Sequence, residues 1–473
     1  MSYRWTIPHQ GRGAADEAGP GESRRHTYRI DPPFQVPVCR ERTKARAKSR
    51  ARAIPWALRP SLEGFRRLRE GTSINLLGLL PGGRRSEKGV TDRKARGMTD
   101  VTGPSPGHHP VPPQPALQRL DGNPASHTDG LCAPADGVFA ALDLGTNNCR
   151  MLVARPNGAR AAGLGAPQPG EFRVIDSFSR ITRLGEGLSR SGELSLEAMD
   201  RTIDALKRCA EKMERRRVTA SRQVATEACR RAVNCEQFLD RVVRETGIQL
   251  EIISPHEEAT LALKGCAALL DRSTPFAVIF DIGGGSTEVL FVRIDATSLS
   301  VEGCISLPMG VVTVAEDCGG GDLSERTYGA VIEHVAKQLA PFEQHHDIRA
   351  KIDAGAVQMI GTSGTVTTLG GLHLGLDRYD RAAVDGLTLD FGVLEKISRA
   401  LCGMTIQQRA AEPCIGWQRA DLVLGGCAIL EAICRLWPVG RLRVADRGLR
   451  EGLLMDLIHP SALQVAPGQL QRF

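Results

Sequence analysis

Aromatic residues are scarce in this chain: 12 Phe, 4 Tyr and 4 Trp make up 4% of 473 residues. Set beside 51 glycines, that scarcity argues against an all-β protein and suits an α/β one, in which strands turn sharply into helices. Thirteen cysteines are scattered without a single C-x-x-C pair, which excludes zinc-site spacing and a dense disulfide framework. Reduced, mostly buried thiols are expected instead. No apolar run approaches the ~18 residues that span a bilayer. The greasiest early stretch, Ile74 to Leu80, is too short for that and too far from Met1 to be the core of a signal peptide. A cytoplasmic protein that does not engage the membrane is expected.

An excess of one charge sign is also missing from most of the chain. Residues 1–100 carry 22 Lys and Arg against 10 Asp and Glu, a net +12, which leaves −5 for residues 101–473 out of the overall +7. The basicity belongs to the leader, and the remainder offers no nucleic-acid-binding surface, so DNA is not an expected partner. Hydrophobic content of 41% and charged content of 24% are those of an ordinary globular protein with room for two or three domains.

Residues 1–136 show no sustained hydrophobic period. They include the basic stretch Arg40 to Arg52 and a Pro/His/Gly linker from Gly103 to Gln118, and too little apolar surface to offset chain entropy, so a largely disordered extension is expected. It reads as a polyanion-binding tail, a targeting leader, or an over-long translation start with Met98 as the true start, the last being preferred. Order begins at Val138. Val138 to Leu144 and Met151 to Ala154 predict two strands of a hairpin around Gly145–Asn148, with a further strand at Phe172 to Phe178. Ser195 is a candidate N-cap for a long amphipathic helix. Arg222 to Thr226 and Gln249 to Ile253 read as strands, and Cys235 to Thr246 and His256 to Leu269 as helices.

The second half repeats the plan. Phe276 to Asp281 is an apolar strand, a glycine turn follows, and Thr287 to Val292 is a strand again. A strand–polar loop–strand unit ending in an acidic residue therefore occurs twice, at Asp143 and at Asp281. An internal duplication of two α/β domains facing a cleft is the economical reading, with domain I at about 137–262, domain II at about 263–460 and a tail at 461–473.

Three segments carry chemistry. In Asp281-Ile282-Gly283-Gly284-Gly285-Ser286-Thr287-Glu288 a strand delivers a carboxylate to a turn whose glycines leave backbone N–H groups open to an anion. Ser286 and Thr287 add hydroxyl donors. Asp143-Leu144-Gly145-Thr146-Asn147-Asn148 has the same logic, and its bland reading as a simple Asx-type turn weakens once it is paired with the Asp281 loop. Gly361-Thr362-Ser363-Gly364-Thr365 follows a strand and precedes a helix, where unpaired N–H groups favour anions, with Gly364 and Thr365 as the donors. It has neither the lysine nor the spacing of a Walker A loop, which excludes a P-loop NTPase. Glu257 and Glu258 stand at the start of a helix; adjacent residues point about 100° apart, so only one can face the cleft. Arg230 is a candidate phosphate clamp. On pattern alone, a solvated helix start and a surface arginine are the preferred readings of these last two.

Six ordered segments now fall into one set: A-L-D-L-G-T-N at 141–147, A-T-E-A-C-R at 225–230, I-I-S-P-H-E-E-A at 252–259, F-D-I-G-G-G-S-T-E at 280–288, G-T-S-G-T at 361–365 and R-G-L-R-E-G at 447–452. Over about residues 138–457 the chain resembles the exopolyphosphatase/guanosine pentaphosphate phosphohydrolase family. The resemblance implies a duplicated two-domain actin-like ATPase fold (acetate kinase/sugar kinase/Hsp70/actin), an active site in the interdomain cleft, and Mg²⁺-assisted hydrolysis of a terminal phosphoanhydride. It implies Glu258 as the catalytic carboxylate, Asp281 and Glu288 as its partners, Gly283 among the phosphate-binding glycines, Asp143 to Asn147 as the first phosphate loop and Arg230 as the clamp. On that basis Glu258 is expected to deprotonate water, Asp143 and Asp281 to hold Mg²⁺, Glu288 to support the metal or the water, and the amides of Gly145–Asn147 and Gly283–Gly285 to bind phosphoryl oxygens.

The first loop departs from the family's commoner D-L-G-S-N-S at Thr146, Asn148, Cys149 and Arg150, keeps its donors, and adds the charge of Arg150. The chain ends at Phe473, without the helical His/Asp-bearing domain of longer members, and so resembles the short ones. Inorganic polyphosphate is the leading expected substrate and pppGpp the alternative; a non-catalytic polyphosphate- or nucleotide-binding regulator is the rival of another class. A homodimer is compatible with the sequence.

Overall fold

The computed structural model describes residues 137–157, 172–296, 298–459 and 465–466. The basic extension, its linker, Ile74 to Leu80 and nearly all of the tail lie outside these residues.

Twelve strands form two mixed sheets. The first contains β1 (Phe139–Leu144), β2 (Asn148–Pro156), β3 (Phe172–Ile181), β4 (Ala220–Ala225) and β5 (Glu251–Ile252), in the order β3-β2-β1-β4-β5. The second contains β6 (Phe276–Ile282), β7 (Thr287–Ile294), β8 (Leu299–Leu307), β9 (Val357–Thr362), β10 (Thr388–Asp390), β11 (Arg441–Ala445) and β12 (Val465–Ala466), in the order β10-β11-β9-β6-β7-β8-β12. The run β8-β7-β6-β9-β11 repeats β3-β2-β1-β4-β5 strand for strand: an antiparallel hairpin, then a parallel partner reached by a helical crossover. The duplication read from the two acidic hairpins is thus present as two sheets of one topology.

Local chemistry explains the elements. β1 and β6 are central and read as near-continuous apolar runs, FAALDL and FAVIFDI, because both their faces are covered. Helix Leu196–Arg216 starts where the Ser195 side chain accepts from the Ala198 N–H and ends at Arg217 in the left-handed conformation, φ +51°. Helix Cys235–Thr246 matches its sequence reading. Two readings shift. The expected strand at Gln249–Ile253 shrinks to the edge pair Glu251–Ile252, which bonds only to the end of β4. The expected 361–365 loop is absent: β9 runs to Thr362 and helix Ser363–His373 begins at once, the bend being absorbed by Ser363 at φ +95°.

Helices Pro255–Cys266 and Leu449–Ile458 pack against each other, the first also on β6, β7 and β8, the second on β1, β2 and β4. Their contact is backbone-close. A Cβ on Gly265 would lie 2.0 Å from the Gly448 carbonyl oxygen, and one on Gly452 would lie 2.0 Å from that of Leu261. Only glycine permits this approach, which explains Gly265 and the second glycine of R-G-L-R-E-G, Gly452. No helix among the described residues is long and apolar enough to cross a membrane.

Candidate active site

The C-terminal ends of β1, β4, β6, β9 and β11 open on one cleft of about 600 Å³. Such strand ends are where open α/β sheets place ligands, since the following turns and helix N-termini expose unpaired N–H groups there. The cleft brings together Asp143, Gly145, Thr146 and Asn147 from the first hairpin with Asp281 and Gly283 to Ser286 from the second. Glu258 also lines it, as do Gly364 and Thr365 at the start of helix Ser363–His373. Two expected site residues stand just behind the wall. Glu288 is 2% exposed and pairs across the hairpin with Asp281. Arg230 lies on helix Glu227–Arg231 with its guanidinium against Glu258.

The two hairpin loops touch. A Cβ on Gly284 would fall 3.1 Å from the Asn147 N, and one on Gly285 would fall 2.8 Å from the Thr146 Oγ1 and 3.1 Å from the Glu227 Cγ. None of the triple glycines has positive φ, so close approach rather than turn conformation requires them. Each loop is closed by one backbone bond, Gly145 N to Asn148 O and Gly283 N to Ser286 O, both 2.9 Å. Several polar atoms facing this region are buried without a protein partner among the described residues, including the Ser363 Oγ and the Oδ1 atoms of Asn147 and Asn148. Ser363 also holds the strained backbone noted above. Unsatisfied groups and strain of this kind gather where a ligand completes the site.

Asp143, Asp281 and Glu258 line the cleft with Glu288 just behind them, and each of the four carboxyls is raised above its ordinary value. Burial raises Asp143, with Arg150 and Arg450 pulling it back. Burial, then the charge of Asp143, pushes Asp281 up to about 6. Burial, then Asp281, pushes Glu288 up to about 7, against hydrogen bonds from Ser286 and Ser306. Burial and the nearby Glu288 carry Glu258 well upward, and Arg230 opposes them. Arg230 Nη1 donates to Glu258 Oε2 at 2.8 Å and to the Ile253 carbonyl at 2.9 Å. Glu257, its neighbour, points outward to Arg222 at 2.5 Å.

Among the described residues no group of three or more His, Cys, Asp or Glu side chains forms a complete metal cage. Two buried oxygen donors with repelling charges, Asp143 and Asp281, nevertheless suit a hard divalent cation of the kind that keeps water and substrate phosphate as its other ligands.

The sequence reading missed Arg450. It lines the cleft near Asp143 and makes no hydrogen bond or ion pair among the described residues, while its neighbour Glu451 is used up by the Gly448 N–H (2.9 Å) and Arg381 (2.6 Å). The signal was present in R-G-L-R-E-G, but nothing local shows which of its two arginines faces inward. Arg447 is taken by Asp385.

Comparison with known proteins places this geometry. The model of the Ppx/GppA phosphatase family matches residues 166–461. The chain is 30% identical over 329 residues to Exopolyphosphatase 2 of Mycobacterium tuberculosis, covering 67% of this chain and 98% of that protein. It is 30% identical over 336 residues to the guanosine-5'-triphosphate,3'-diphosphate pyrophosphatase of Vibrio parahaemolyticus, covering 69% of this chain and 60% of that longer protein. The crystal structure of the Aquifex aeolicus Ppx/GppA family member superposes with a TM-score of 0.54 at 28% identity, over 68% of this chain and 97% of that one. An exopolyphosphatase from Cytophaga hutchinsonii shares the fold, with a TM-score of 0.60 at 22% identity over 70% of this chain and 100% of that one. This chain belongs to the Ppx/GppA phosphatase family.

Proposed function

We propose that this chain hydrolyses the terminal phosphoanhydride of inorganic polyphosphate, releasing orthophosphate. The observation that carries the reading is the buried carboxylate cluster set against glycine loops: anion binding needs the glycines and cations, and only hydrolysis needs a buried base. A purely binding regulator has no use for Glu258 or Glu288.

The terminal phosphoryl group binds between the two hairpin loops, its oxygens accepting from the Thr146, Asn147, Gly284 and Gly285 N–H groups; the expected Gly145 and Gly283 N–H groups close their own loops instead. Glu258 accepts a proton from water as the water oxygen bonds to phosphorus and the P–O–P bridge breaks, the electron pair leaving on the shortened chain. Burial raises Glu258 above the ordinary carboxylate range, which favours proton acceptance, and the Arg230 contact opposes that rise and aims the carboxylate. Asp143 and Asp281 would hold Mg²⁺, which supplies charge stabilisation at the phosphoryl oxygens. Glu288 accepts from Ser306 at 2.8 Å and orders the carboxylates around it.

A second reading has one observation in its favour: the same geometry serves the 5′-phosphate of pppGpp, and relatives with that named activity match at equal identity. The chain spans nearly all of the exopolyphosphatase relative and about three-fifths of the pyrophosphatase one. Phosphate release from polyphosphate and from pppGpp, measured side by side with Mg²⁺, tests both. Faster kcat/KM on pppGpp overturns the first reading; release from neither overturns both.

A further inference from the structure

The two phosphate-facing loops touch, yet no backbone hydrogen bond joins them directly among the described residues. Each is held from behind by a different segment. Just after β3, the N–H groups of Thr182 and Arg183 donate to the Asn147 carbonyl at 2.9 and 3.0 Å, and that of Gly185 donates to the Thr146 carbonyl at 2.9 Å. The second loop is held by helix Val311–Asp317. The N–H groups of Val311 and Val312 donate to the carbonyls of Gly283 and Gly284 at 3.0 and 2.8 Å.

These two supports are bonded to each other. Glu316, on that helix, accepts from the Gly187 N–H and from the Ser189 hydroxyl, both at 2.6 Å. Arg183 grips Asp421 with both Nη atoms, at 2.8 and 2.9 Å, and its Nη2 also donates to the Gln418 carbonyl at 3.3 Å. Asp421 has a fixed seat. The adjacent Ala420 carbonyl accepts from Arg409 at 3.0 Å, and the Gly321 carbonyl accepts from it at 2.8 Å; Arg409 is only 1% exposed. A Cβ on Gly321 would lie 2.5 Å from the Asp421 Cα. Arg183 itself has a left-handed backbone, φ +49°, which a non-glycine residue keeps only where its surroundings enforce it.

We propose that residues 182–189 form a strap behind the phosphate loops, in which Arg183 and Glu316 are positioning residues that set the spacing and aim of the loop amides. The proposal rests on the hydrolase reading for its effect on rate, while the effect on the loops themselves does not depend on that reading. Neither Arg183 nor Glu316 lines the cleft. They act through peptide planes. In a trans peptide the C=O and the following N–H point to opposite sides. Holding the Thr146 carbonyl therefore turns the Asn147 N–H away from the strap. Holding the Gly283 and Gly284 carbonyls does the same for the N–H groups of Gly284 and Gly285.

The Arg183 and Asp421 side chains are 30% and 24% exposed, and a pair so accessible to water adds little to global stability. Its two parallel bonds fix geometry instead. Misplacement on the ångström scale at a reacting phosphoryl group costs on the order of a hundredfold in rate.

The test compares the full chain with Arg183→Ala, Asp421→Ala, the double variant and Glu316→Ala by polyphosphate hydrolysis with Mg²⁺, Tm and peptide-resolved hydrogen exchange. In each variant kcat/KM should fall about tenfold to a hundredfold with Tm nearly unchanged. Amides of 145–148 and 283–286 should exchange faster, while those of helix Glu325–His346 exchange as before. The double variant should lose no more than either single one, because both break the same link. Wild-type kcat/KM in a folded Arg183→Ala overturns the proposal, as do unchanged loop exchange and losses that multiply in the double variant. Should Arg183→Ala not fold, Glu316→Ala reads the same strap from its other end. Should the wild type release no phosphate, the hydrolase reading fails while loop exchange still decides the strap.

Discussion

Arg230 and Glu258 face each other at 2.8 Å with both side chains largely buried, 14% and 16% exposed. Buried pairs of this kind do not guarantee stability, because desolvating both charges offsets most of their attraction. Here the pair sits against two more carboxyls, Asp281 and Glu288, so its consequence is to set the ionisation of Glu258 rather than to hold the fold.

Glu258→Gln keeps the shape and the hydrogen-bond acceptor but cannot take a proton. Turnover on polyphosphate should fall by about 10²–10⁴-fold while substrate affinity, read by equilibrium binding, stays within a few-fold. Wild-type turnover in a folded variant removes Glu258 as the base.

The raised carboxyls make stability depend on pH and on the cation. Asp281 ordinarily titrates at 3.8 and Glu288 at 4.5, and in the fold they rise to about 6 and about 7. The folded state therefore binds more protons than the unfolded one across this window, so this contribution is full below the ordinary values and is lost as pH rises through 6 to 7. In EDTA, Tm should fall between pH 5 and pH 8 more steeply for the wild type than for Glu288→Gln. Added Mg²⁺ should raise Tm more at pH 8 than at pH 5. Parallel wild-type and variant profiles in differential scanning fluorimetry contradict the assignment.

Two glycine substitutions should separate site from scaffold. Gly285→Ala places a methyl 2.8 Å from the Thr146 Oγ1 and pushes the phosphate loops apart, so kcat/KM drops sharply with little change in Tm. Gly452→Ala meets the Leu261 carbonyl at 2.0 Å, backbone that cannot turn away. It should destabilise by about 1–3 kcal/mol or more, read by urea denaturation.

Arg450→Ala removes a guanidinium that makes no hydrogen bond or ion pair among the described residues and lies near Asp143. KM for polyphosphate should rise on the order of tenfold with kcat and Tm nearly unchanged, and Arg450→Lys should recover part of the loss. A large fall in Tm would make Arg450 a packing residue.

The acidic hairpins at Asp143 and Asp281 were legible because each is a short-range pattern of an apolar strand, an acid and glycine; that the triple glycines serve close approach of the two loops rather than turn conformation needed the structure. The duplication followed from their repetition, and the caps and ends of helices 196–216 and 235–246 from local hydrogen bonding and charge. The chain's periodicity also stated that Glu257 and Glu258 must diverge by about 100°, yet gave no absolute direction. That phase is set by long-range packing: Ala259, Leu263 and Cys266 bury against the second sheet, turning Glu258 to Arg230 and leaving Glu257 to Arg222. The same holds for Arg450, which faces the cleft because Gly265 and Gly452 let two helices meet at backbone distance. Local pattern determined which groups this protein has; contacts between residues far apart in sequence decided which of them share one cleft, because only burial and packing fix the orientation of a helix.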